Sequence, residues 1–188
     1  MKTIEEVYGN FEKIETERLL IRKLTKEDAP DIFHYASDPE TTKFVLFPTH
    51  QTVEDTWKFL GPTLEKYEKK EVAPWGIEWK ETGRLIGTSD FIWWNPDHKK
   101  AEIGFILTKE YWNQGIMSEA VKKLIQFGFE EMELNRIEAR CHENNIASAR
   151  VMEKVGMKLE GLAREALFVK GDYWNLKQYA ILRQDWKK

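Results

Sequence analysis

A mixed α/β sheet in one domain is the fold class that this chain of 188 residues predicts. Three observations lead there. The length is most simply that of one domain with its own core. Strand-like runs outnumber helical ones. A meander of three strands precedes the most informative helix, which argues for a mixed sheet over a doubly wound one.

The elements follow in order. Residues 1–15 read as a short polar extension, because apolar periodicity starts only near Arg18, so the domain is expected over 16–188. Arg18–Leu24 reads as a strand. Thr25–Asp28 resembles a capping box and opens a helix to about Ala36, with Pro30 tolerated in its first turn and Asp38-Pro39 stopping it. Thr52–Asp55 opens a second helix to about Lys70, which Gly61-Pro62 is expected to break or kink. Three strand-like runs follow, Ala73–Lys80, Leu85–Trp94 and Glu102–Thr108, with turn residues at 81–84 and 95–98. The next helix, to about Glu133, carries one apolar row of Ile116, Ala120, Leu124 and Gly128 and a second of Val121, Ile125, Phe129 and Met132. A strand (Arg136–Cys141), a short helix (Ser148–Val155) and two long strands (Leu159–Val169, Tyr173–Leu182) complete the order, with Gly171-Asp172 expected as the last hairpin turn. The predicted order is β-α-α-β-β-β-α-β-α-β-β.

Composition excludes several function classes. A net charge of −3 disfavours nucleic-acid binding by electrostatics. No run of 18 apolar residues exists, so no membrane-spanning helix is expected. The start of the chain lacks the apolar core of a signal peptide, and the single Cys141 fits a reducing compartment, so a cytoplasmic protein is expected. His34, His50, His98 and His142 show no ligand spacing, so no metal is expected. The eight tryptophans are an unusually large share; the core is the favoured place for each, with several left to line a pocket or a homodimer surface.

Tyr111–Ala120 follows a strand and opens a helix, which makes it a place for an anion. The first N–H groups of a helix have no internal partner, and the helix dipole adds partial positive charge there. Gly115 has no side chain to keep a phosphate from the backbone.

Two motifs carry a resemblance. The first is Glu102-Ile-Gly104 leading into Tyr111–Ala120. The second is Asn145–Met157 followed by Glu160-Gly161, with Thr16–Arg22 resembling an opening strand. Together, over about residues 16–186, they resemble the GNAT superfamily of acyl-CoA N-acyltransferases, and within it the RimJ/RimL branch that acetylates N-terminal amines of ribosomal proteins. The chain departs from the family pattern at Trp112 and Met117, at Gly156-Met157, and in having no tyrosine along Ser148–Met157.

The resemblance implies a GNAT-like fold and acetyl-CoA as co-substrate. It implies that the backbone of Phe105, Ile106 and Leu107 pairs with the pantetheine arm as an added strand, and that Asn113, Gln114, Gly115, Ile116, Met117 and Ser118 form the pyrophosphate turn. Glu102 is then the base and Ser148 the group near the thiol, with Asn145 on the pantetheine amide or capping its helix, and Arg150 toward the 3′-phosphate. Lys122 and Lys123 read as a solvated helix face, and Cys141 as a buried structural residue. Trp93-Trp94 and Phe47-Pro48 are candidate walls for the acceptor amine.

The expected function is direct acetyl transfer to a primary amine, foremost a protein N-terminal α-amine. An α-amine with pKa about 7.7–8.0 is roughly a tenth neutral at pH 7, whereas lysine near 10.4 is neutral at only about 0.04%. A weak base therefore suits the former. The rivals are an acetyltransferase of polyamines, amino sugars or antibiotics, and a non-catalytic acyl-CoA-binding module.

Overall fold

A computed structural model describes residues 2–11 and 13–186. Its strands are β1 (Lys13–Glu15), β2 (Leu19–Lys23), β3 (Trp75–Trp79), β4 (Arg84–Asn95), β5 (Lys100–Leu107), β6 (Arg136–His142), β7 (Lys158–Val169) and β8 (Asp172–Leu182). Its helices are α1 (Ile4–Gly9), α2 (Ala29–Ala36), α3 (Val53–Glu68), α4 (Ile116–Glu130), α5 (Ile146–Lys154) and α6 (Arg183–Trp186). From β2 to β8 the order is the predicted one. The eight strands form one sheet, β1-β2-β3-β4-β5-β6-β8-β7.

Neighbouring strands are antiparallel except β5 and β6, which run parallel across the α4 crossover. That pair is short. Only Lys100, Ala101 and Glu102 pair, with Arg136, Ile137 and Glu138. Beyond it, β5 stays with β4 as far as Leu107 opposite Gly87, while β6 stays with β8 as far as His142 opposite Leu176. The sheet therefore opens between residues 103–107 and 139–142.

Side chains alternate across a strand, so β5 divides its residues between two cores. Ala101, Ile103 and Leu107 join the larger cluster with the apolar rows of α4, where Ile116, Ala120, Val121, Leu124, Ile125 and Phe129 are buried. Ile106 faces the smaller cluster of α2 and α3, around Ile32, Tyr35 and Leu60. Both apolar rows predicted for α4 are core. No helix among the described residues is long and apolar enough to cross a membrane.

Three local expectations are corrected. Residues 4–15 are not a polar extension: α1 is capped by a Thr3–Glu6 box, β1 pairs with β2, and Val7, Tyr8 and Phe11 are buried. Three apolar residues in a polar stretch are too few to show a period, yet Phe11 stacks on Trp75 at 4.2 Å between ring centroids. Helix α3 runs through Gly61-Pro62 unbroken. Its Thr52–Asp55 capping box and the burial of Thr56, Leu60 and Thr63 outweigh the one lost backbone bond. The last hairpin turn is Lys170-Gly171, between the paired Val169 and Asp172. Both turn residues have positive φ, 53° and 85°, as a two-residue turn matching strand twist requires.

The N-terminal packing is testable. Phe11→Ala should destabilise the protein by about 3 kcal/mol, the low end for emptying a buried aromatic site. The midpoint of urea unfolding, read with an unchanged m-value, measures it; a loss below about 0.5 kcal/mol would mean that Phe11 is not part of the core.

Candidate active site

The helix α4 begins at a turn shaped by two left-handed residues, Asn113 (φ 59°) and Gly115 (φ 75°). Its first bond runs from Glu119 N–H to the Gly115 carbonyl (3.0 Å). No acceptor among the described residues is found for the N–H groups of Gln114 through Ser118. These donors lie at the positive end of a helix of 15 residues.

The turn is braced from several sides. Gln114 Nε2 donates to the Glu110 carbonyl (2.9 Å), and Arg18 NH1 donates to the Gln114 carbonyl (3.2 Å). Glu119, in the first turn of α4, takes an ion pair from Arg18 (2.7 Å) and hydrogen bonds from the Arg18 N–H and the Thr16 hydroxyl. Burial works to raise the Glu119 pKa, but those bonds outweigh it and hold the carboxyl below its ordinary value. Met117 turns into the core, so its bulk leaves the backbone donors uncovered.

Two cations stand at the lip of the turn. A β-carbon added at Gly115 would lie 3.4 Å from Lys154 Nζ and 4.0 Å from Arg18 NH2. Lys154 is exposed and has no hydrogen-bond or ion-pair partner among the described residues. It was missed because no sequence spacing ties the end of α5 to residue 115. Arg18 was visible within the Thr16–Arg22 segment, but only as part of a strand.

The opened edge of β5 leads from this turn toward the apex of the cleft. Phe105 and Ile106 have no strand on the β6 side. Leu107 differs: its carbonyl already accepts the Trp112 indole N–H at 2.8 Å. The expected three-residue pairing edge is thus shortened by one acceptor, and Trp112 has a structural task that its sequence position did not reveal.

Across the cleft stands α5. Asn145 Oδ1 caps it by accepting the Ser148 N–H at 3.1 Å, so the capping role is the one the geometry displays. The half-buried Ser148 hydroxyl has no partner among the described residues, and neither has the exposed Arg150. Lys123 reaches Gln126 on its own helix, and Lys122 is exposed.

Glu102 occupies the last rung before the strands part, and it is buried. Trp93 Nε1–H donates to its Oε2 (2.8 Å) and Arg140 Nε–H to its Oε1 (2.9 Å). Trp93 therefore borders the apex, whereas Trp94 is core and Phe47 packs on the α2–α3 cluster. At the end of β6, His142 stacks on Phe44 and meets Trp174 edge-on, each at 4.9 Å. Cys141 is buried, and burial pushes its thiol up to about 11, so a thiolate nucleophile is disfavoured there. A second carboxylate, Asp90 on β4, lies opposite Gly104 near the same apex and was not singled out from the sequence.

A mixed sheet that opens beside a helix N-terminus defines an acyl-CoA-type N-acyltransferase, and comparison with known proteins agrees. The chain belongs to the GNAT acetyltransferase family: the family model described as an acetyltransferase (GNAT) domain matches residues 18–158. It is 32% identical over 173 residues to the uncharacterized N-acetyltransferase YoaA of Bacillus subtilis, covering 92% of this chain and 98% of that one. It is also 32% identical over 130 residues to the ribosomal-protein-serine acetyltransferase of Escherichia coli, covering 69% and 72%. Among solved structures, a GNAT-family acetyltransferase from Bacillus anthracis superposes with a TM-score of 0.82 at 33% identity, over 92% and 99% of the two chains. The RimL ribosomal L7/L12 α-N-protein acetyltransferase in complex with coenzyme A shares the fold, with a TM-score of 0.80 at 22% identity over 91% and 98%. The protein is an acetyltransferase enzyme.

The free donors at Gln114–Ser118, the cations Arg18 and Lys154 and the open edge of β5 fit a diphosphate joined to an extended amide arm. Gly115→Val and Lys154→Glu should each weaken acetyl-CoA binding about tenfold or more, the worth of a lost charge-assisted contact. Calorimetric titration reads this; unchanged affinity in both variants would remove the turn from the binding site.

Proposed function

We propose that this chain transfers the acetyl group of acetyl-CoA directly to a primary amine, foremost the α-amine of a protein N-terminus. The observation that carries the reading is the cleft that opens at Glu102 and ends at the Gly115 turn. The diphosphate is assigned to the turn, with Lys154 and Arg18 at its lip, and the amide arm to the open edge of β5 at Phe105. An N–H of that edge can polarise the thioester carbonyl as an oxyanion donor does. Ser148, with its hydroxyl uncommitted, is the proposed donor to the departing sulfur. Burial of Cys141 favours direct transfer over a covalent acyl-enzyme.

Two carboxylates border the place where the amine must stand, Glu102 and Asp90. The family resemblance gives the base role to Glu102. Since both of its oxygens are already engaged, a proton would reach it through a water on a remaining lone pair.

The α-amine preference rests on proton availability. About a tenth of an α-amine is neutral at pH 7 against about 0.04% of a lysine side chain, so a modest base serves the first far better. The relative named a ribosomal-protein-serine acetyltransferase supports the same class of acceptor. A thiol-release assay tests it with peptides bearing free α-amines, α-blocked peptides carrying lysine, polyamines and amino sugars. Peptides with free α-amines should lead by at least tenfold in kcat/KM. A lead by a polyamine or amino sugar would overturn the acceptor class, and tight acetyl-CoA binding without transfer to any amine would leave only a binding module.

A further inference from the structure

Asp90 sits on the same side of the sheet as Glu102, opposite Gly104, two residues past the last rung joining β5 to β6. A β-carbon at residue 104 would stand 3.4 Å from Asp90 Oδ1, and 2.8 Å and 3.0 Å from Ile92 Cδ1 and Cγ1. The glycine thus makes a notch at the cleft apex, filled by Ile92 and rimmed by a carboxylate oxygen. No hydrogen bond or ion pair to this carboxylate is found among the described residues. The carboxylate is half-buried and its oxygens are not sealed from the cleft, so a group that binds there can reach them.

We infer that Asp90 is the group that takes the proton from the acceptor amine, with Glu102 fixed as a structural charge behind it. This rests on the reading of the chain as an acetyl-CoA-dependent amine acetyltransferase. Glu102 has both oxygens bonded to Trp93 and Arg140, whereas Asp90 has both free. Its surroundings suit the task. Burial pushes the Asp90 carboxyl up to about 7, the Lys66 charge on α3 works against this, and the Glu102 charge on β5 adds to it. Tyr8 of α1, Tyr35 of α2 and Tyr67 of α3 also feel the Asp90 charge; burial raises all three phenols well above their ordinary value, so they stay neutral. A base that titrates near the working pH is the most effective one.

The step balances simply. An ammonium acceptor gives one proton to the Asp90 carboxylate, and the freed nitrogen lone pair forms the C–N bond at the thioester carbon. The C–S bond breaks, its electron pair leaves on sulfur, and the nitrogen's second proton ends on that sulfur through Ser148 or solvent. Asp90 returns its proton to water. The products are an amide, a thiol and one released proton.

The test uses the best amine from the acceptor panel and compares wild type, Asp90→Asn, Asp90→Glu and Glu102→Gln across pH 5.5 to 9. Asp90→Asn should lower kcat about 100-fold at pH 7, a usual worth for a general base, with acetyl-CoA affinity unchanged within twofold. Wild-type kcat should level off above about pH 7, while the Asn variant keeps climbing as solvent and the amine's own ionisation take over. Asp90→Glu, which keeps a carboxylate, should recover part of the rate, and Glu102→Gln should retain a plateau but reach it at lower pH, because it removes a charge that helps raise Asp90. Stability gives a separate readout. A carboxyl raised from its ordinary 3.8 to about 7 loses stability as pH rises between those values, so Asp90→Asn should melt above wild type at pH 8, with the gap closing toward pH 4. An Asn variant within threefold of wild type, with the same profile, overturns the assignment. A wild type silent with every amine overturns the underlying reading and the assignment with it.

Discussion

Three paired residues hold β5 to β6, and the parting of the strands beyond Glu102 is the constraint on which the site depends. Backbone N–H and C=O groups removed from a ladder must find other partners or remain in water. Here Trp112 satisfies the Leu107 carbonyl and Ile106 is paired with Thr88 of β4, while the backbone of Phe105 is left for something that can pair as a strand does. The opening persists because each strand is anchored on its far side, β5 by β4 and β6 by β8, and because Ile103 and Leu107 are set in the core under α4.

Charge is distributed along this cleft by sign. At the end formed by the α4 N-terminus stand Arg18 and Lys154, with backbone donors that need no side chain. At the apex stand Glu102 and Asp90, on the face away from α4. This separation of sign is what the proposed pairing of an anionic carrier with a cationic amine requires. Helix α5 links the two ends, with Ser148 in its first turn and Lys154 at its last residue. The pairing of Arg18 with Glu119 ties the start of β2 to the same turn, so that strand also supports the site.

Much of this was legible in the sequence where a repeating signal existed. The two apolar rows of α4 and the capping residues at Thr25, Thr52 and Asn145 are seen where they were expected, because each follows from local periodicity or from a local bond. Residues 4–11 were not legible, since their burial depends on a stack between Phe11 and Trp75, far away in sequence. Lys154 and Asp90 were missed for the same reason: their importance comes from Gly115 and Gly104, which only the fold brings beside them. The acceptor wall shows the limit in another form. Trp94 and Phe47 had the right chemistry, but strand alternation and the α2–α3 core claimed them.

The central claim is that the opened edge of β5 and the first turn of α4 form one binding surface for acetyl-CoA. Amide hydrogen exchange with and without acetyl-CoA addresses it directly, because it reads the backbone donors themselves. Added acetyl-CoA should slow exchange in peptides covering 103–107 and 114–118, and leave β2 and β3 unchanged. Exchange unaltered in both segments, at concentrations that saturate binding, would contradict it.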